Sequence, residues 1–164
     1  MKSTRYATAG LVALALCFVS LAAVQKGNEP DLLINSARFL EQHPFDKKSK
    51  DVRSWAVTWL IQTDKVSVTV CSLVLSVDKK YKYQTELFSQ YTIGMAAFKL
   101  ANPDKAGDEN AAQLAGVESA LTAYESMIKE QPKAQNAFLD DLVSKRSNGA
   151  LAKFVLENNC KGKQ

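Results

Sequence analysis

Between Asn110 and Glu130 the apolar residues fall at Leu114, Val117, Leu121, Tyr124 and Ile128, alternating steps of three and four that trace one face of an α-helix. The same period recurs on either side. Val52, Trp55, Ala56, Trp59 and Leu60 follow it, as do Leu33, Ala37 and Leu40, and then Leu87, Tyr91, Met95 and Phe98. Two shorter segments carry Phe138, Leu139, Leu142 and Val143, and then Leu151, Phe154 and Val155. A chain patterned this way buries helix faces against one another. The expected fold is all-α, a single-domain bundle of five to seven helices.

Breakers mark the ends. Pro30-Asp31 suits a first helical turn and His43-Pro44 a stop, and Asp46 is placed to cap the tryptophan-bearing helix. Asn102-Pro103, Gln131-Pro132 and Asn148-Gly149 stop the later ones, with Pro103 to Asp108 as the main surface loop. Gly94 lies inside a helix, where it costs about 1 kcal/mol against alanine, and so points to close approach of another backbone. Val66 to Val77 is ambiguous. Val66, Val68 and Val70 alternate as in a strand, but the phase slips at Cys71, whereas Val66, Val70, Leu73, Val74 and Val77 keep helical spacing. With no partner strand elsewhere in the chain, helix is the expectation. Ala120 to Pro132 resembles the second helix of a tetratricopeptide repeat, with Gly94 and Phe98 in the place of its first helix; the intervening spacing is too long for that repeat and no second copy recurs, so nothing is carried over from it.

The N-terminus has the form of a secretory signal peptide: Lys2 and Arg5, an uncharged run from Tyr6 to Val24, small residues, then the polar stretch Gln25 to Pro30. Its apolar part, Leu11 to Ala23, is shorter than the roughly 20 residues a membrane helix needs. Cleavage is expected after Ala22, with after Ala23 as second choice. Leu16 before Cys17 is too bulky for a lipoprotein signal. The expected organisation is therefore a signal peptide over 1–22, a helical domain over 23–160 and a disordered tail over 161–164. The mature protein is expected to be secreted or periplasmic, with no stable membrane span. Outside the leader the cysteines are Cys71 and Cys160, an even pair in an exported chain and thus a candidate disulfide.

The formal charge of +4 falls by two when Lys2 and Arg5 leave, and the remaining charges of both signs are interspersed, which argues against nucleic acid as a partner. The lone histidine, His43, cannot make a histidine metal pair, and no serine or cysteine sits in a nucleophile elbow. Asp140-Asp141 and Asp108-Glu109 are adjacent pairs that diverge by about 100° on a helix. The loop after Pro103 lacks the ligand spacing of a calcium site, and no glycine pattern cradles a phosphate. The expectation is no cofactor and no enzyme. The chain reads instead as a protein-binding or envelope accessory module, with Tyr81 and Tyr83 in the run Lys79 to Tyr83 as candidate partner contacts. The alternative is a carrier of a small apolar ligand, held in a cavity between helices by Trp55, Trp59, Tyr91, Met95 and Phe98. Core packing is the ordinary reading of such a tryptophan pair, and a solvated connector that of the tyrosine run.

Overall fold

The computed structural model describes residues 28–71, 75–158 and 160. Among them the chain forms six α-helices and no strand: α1 Glu29–Gln42, α2 Ser49–Gln62, α3 Gln84–Ala101, α4 Glu109–Glu130, α5 Ala137–Ser147 and α6 Leu151–Asn158. Single 3-10 turns at Pro103–Lys105 and Pro132–Ala134 follow α3 and α4, where proline cannot continue the ladder. Two helices are capped by side chains. The Asp108 carboxylate accepts the Ala111 N–H at 3.0 Å, and Asn136 Oδ1 accepts those of Phe138 and Leu139 at 3.1 and 3.2 Å. Gly149 follows α5 with φ +78°, the left-handed conformation that ends helices.

The centre of the bundle is the α3–α4 pair, and glycines decide how closely it packs. A Cβ added to Gly94 would lie 2.5 Å from Ser119 Cβ, and one added to Gly116 would lie 2.7 Å from the Tyr91 carbonyl oxygen. The expected close approach at Gly94 is thus made by α4, and Gly116 answers it from the other side. Around this crossing the core falls into two clusters. In one, Leu87, Tyr91 and Met95 of α3 meet Val117, Leu121 and Tyr124 of α4, with α5 and α6 closing the far side through Leu139, Leu142, Leu151 and Val155. In the other, Ile93 and Ala96 of α3 meet Leu33, Ala37 and Leu40 of α1 and Ala56 and Trp59 of α2. Complete burial of each large apolar side chain contributes about 1.5–3 kcal/mol, so α3, which serves both clusters, holds the molecule together.

The expected helix over Val66 to Val77 does not form in its described part. Residues 66–71 and 75–77 form neither helix nor strand. The reason lies in hydrogen bonds from distant side chains. Lys99 Nζ donates to the Ser67 carbonyl at 2.9 Å and Gln113 Nε2 to that of Thr69 at 2.5 Å, while the Cys71 N–H donates to the Tyr91 hydroxyl at 3.3 Å. These groups give the backbone of the connector the partners that a helix or a neighbouring strand would otherwise supply. Val66 and Val68 turn inward and Ser67 and Thr69 outward, so the early alternation is real, and Val70 falls out of it on the surface. Asp46 also differs from expectation: its carboxylate accepts the Lys48 N–H at 2.8 Å and shapes the turn before α2, with no side-chain cap on the helix itself.

Cys71 and Cys160 meet at disulfide distance, their Cα atoms 5.5 Å apart. No helix of the described residues is long and apolar enough to cross a membrane. The leader with its cleavage point, the tail 161–164 and residues 72–74 lie outside the described residues.

Candidate functional site

The residues singled out from sequence are distributed over four places. Trp59 is buried between α1, α2 and α3, with the half-buried Trp55 ring stacked on it at 6.3 Å between centroids. Tyr91 and Met95 are sealed in the other cluster. Phe98 is half-buried in a separate cleft. The five residues of the carrier reading are therefore not gathered around one space. Tyr81 and Tyr83 close on the turn after α4: Tyr81 donates to the Ala134 carbonyl and Tyr83 to Gln131 Oε1 at 2.8 Å, with the two rings edge to face at 5.7 Å. Tyr83 is buried and Tyr81 half-buried, the placement of residues that fasten a connector to a helix end. Burial, with Tyr124 the next contribution, pushes the Tyr81 hydroxyl far above the usual phenol range.

The carboxylates separate likewise. Asp140 accepts the Tyr124 hydroxyl at 2.6 Å, whereas Asp141 turns outward to Lys145 at 2.6 Å. Glu109 pairs with Lys99, the buried lysine that also holds Ser67. His43 lies on the surface, its ring 5.3 Å from that of Phe39. Among the described residues no group of three or more His, Cys, Asp or Glu is placed to hold a metal ion.

Besides a groove of about 350 Å³ between α2 and α3, lined by Lys50, Arg53, Thr85 and Glu86, two concave features stand out. The first is a hollow of about 290 Å³ between α1 and α2, walled by Leu32, Val52 and Trp55, with Ser36 and Asp51 at its edge. Leu32 is half exposed there, so an aliphatic side chain and an indole face present apolar surface to solvent. The second is an open cleft of about 290 Å³ where α1 crosses the α3–α4 pair. Its floor is Gly94, Ala97 and Ala115, small because the helices beneath approach so closely. Glu41 and Arg38 of α1 and Glu118 of α4 carry its charge.

No family model matches this chain, nor does any curated protein or solved structure. The functional reading therefore rests on the two concave features.

The polar end of the cleft is ordered by a relay. Gln90, fully buried on α3, donates through Nε2 to the Ala37 carbonyl at 3.0 Å and to Ser119 Oγ at 2.8 Å; Ser119 in turn donates to Glu41 Oε1 at 2.5 Å. Gln90 Oε1 has no partner among the described residues. Burial raises the Glu41 carboxyl above its ordinary value, against the lowering effects of the Ser119 hydrogen bond and of Arg38. Sequence reading missed Glu41, Ser119 and Gln90. One signal was available for Gln90, which stands between Leu87 and Ile93 on an otherwise apolar helix stripe.

Proposed function

We propose that the protein is an exported, non-enzymatic helical module that binds another protein through the hollow between α1 and α2. The observation that carries this reading is the apolar wall formed by exposed Leu32 with half-buried Val52 and Trp55. An indole beside an aliphatic pocket is the kind of surface on which a partner's aliphatic or aromatic anchor loses water, and such anchors dominate association energies. Export is supported by the leader-like N-terminal composition and by Cys71 and Cys160 lying at disulfide distance, a pairing suited to an oxidising compartment. The interior polar groups support a non-enzymatic reading, because Lys99 with Glu109 and Tyr124 with Asp140 are engaged in fastening connectors.

Photo-crosslinking in the producing cell tests the reading. With a photoreactive side chain at the exposed Asp51, an adduct of discrete mass with a second protein is expected in the exported fraction. Leu32→Glu should abolish it, whereas Leu156→Glu, on exposed α6 surface, should leave it intact. No adduct, or an adduct that survives Leu32→Glu, overturns the proposal.

A further inference from the structure

The cleft over the α3–α4 crossing has a different chemistry from the hollow. Its acid is held in place: Glu41 Oε1 takes the Ser119 hydroxyl, and Ser119 is itself oriented by the buried Gln90. Among the described residues no basic nitrogen lies within ion-pairing distance of Glu41; Arg38, one turn back on α1, acts on it only through space. The charged groups facing the cleft are Arg38 and Glu41 from α1 and Glu118 from α4, while α3 contributes only Gly94, Ala97, Phe98 and Ala101. One cation thus stands against two acids. A half-buried, preoriented carboxylate lacking a contacting cation is under-solvated, and a cation arriving from solution relieves it with a charge-assisted hydrogen bond. Next to it, the methyl groups of the floor and the Phe98 ring offer apolar surface to a short chain. The volume, about 290 Å³, is at the small end of ligand sites.

We propose that this cleft binds a primary alkylammonium group, with the ammonium on Glu41 and the alkyl chain along Ala97 and Phe98. A carboxylate ligand would face two acids, and a neutral alcohol would leave Glu41 without a countercharge. The head group is common to a free alkylamine and to a partner's lysine.

Titration of the intact protein with n-hexylammonium, 1-hexanol and hexanoate at fixed ionic strength, followed by backbone amide NMR, tests the assignment. Saturable shifts are expected at Gly94, Ala97 and Ser119, with hexylammonium bound about tenfold more tightly than hexanol. Glu41→Gln keeps an acceptor for Ser119 and should bring hexylammonium down to the hexanol level. Lowering the pH until Glu41 protonates should do the same in the unmodified protein. Ala97→Leu fills the floor and should block hexylammonium with Glu41 untouched, which keeps the test decisive if Glu41→Gln fails to fold. Equal affinity for hexanol and hexylammonium, tighter binding of hexanoate, or binding that survives Ala97→Leu overturns the proposal. Nα-acetyl-lysine methylamide resolves the source: an affinity equal to that of hexylammonium assigns the site to a partner's lysine, a weaker one to a free amine. Because Leu32 and Asp51 do not line this cleft, its failure would leave the protein-binding reading standing, and the converse.

Discussion

At the residue scale, two tyrosines carry structural information in their protons. Tyr91 donates to Gln113 and accepts from Cys71, and Tyr124 donates to Asp140 while accepting the Asn136 N–H at 2.8 Å. Burial pushes both hydroxyls up to about 12, the Asp140 hydrogen bond adding to the effect at Tyr124. An unfolded chain releases these protons near pH 10, so between about 10 and 12 the folded state holds more of them, and stability falls as pH rises through that window. Ultraviolet absorbance should show part of the tyrosinate signal delayed toward pH 12 and coincident with unfolding by circular dichroism. Tyr124→Phe should remove part of the delayed signal and, by orphaning the Asn136 N–H, cost about 1–3 kcal/mol at neutral pH. A tyrosine titration complete near pH 10 in a still folded protein would contradict the hydrogen bonds described. Such bonds were invisible in the sequence because they join different elements, beyond the reach of local periodicity: Tyr91 and Gln113 are 22 residues apart, and Ser119 and Glu41 are 78 apart.

At the scale of elements, the helices were legible and one connector was not. Period and punctuation agreed at Pro44, Pro103, Pro132 and Gly149, which is why α1 to α6 lie close to where the apolar stripes placed them. Residues 66–71 differ because the deciding partners, Lys99 and Gln113, belong to α3 and α4, and local periodicity carries no trace of them. The α3–α4 pair supplies the element-scale prediction. Alanine at Gly116 gains about 1 kcal/mol of helix propensity, but its methyl group meets the Tyr91 backbone, and overpacking of this kind costs about 1–3 kcal/mol or more. Denaturant unfolding should therefore show a net loss at Gly116→Ala, and a loss at Gly94→Ala, where the Ser119 side chain is in the way. Alanine at both positions without loss would mean that the helices do not cross there. Gly94 had announced the crossing in the sequence; Gly116 becomes recognisable only opposite it.

At the scale of the whole molecule, a cysteine pair at disulfide distance and the packing of helix faces act on different parts of the chain. The Cys71–Cys160 pair closes a sequence separation of 89 residues, for which the chain-entropy model assigns about 4–5 kcal/mol of stability. Converting both cysteines to serine should lower the denaturant-measured unfolding free energy by about that amount, within a 2–5 kcal/mol range for native disulfides, and a change below about 1 kcal/mol would show that the pair does not constrain the unfolded chain. A bond between these two cysteines would enclose α3, α4, α5 and α6 and leave α1 and α2 outside the loop. The N-terminal hairpin meets the remaining helices through the packing of Leu33, Leu40, Ala56 and Trp59 and through the hydrogen bonds of Gln90 to Ala37 and of Ser119 to Glu41. The hollow lies within this hairpin and the cleft along its seam with α3 and α4, so an occupant of either would bear directly on the two helices that the Cys71–Cys160 loop does not enclose.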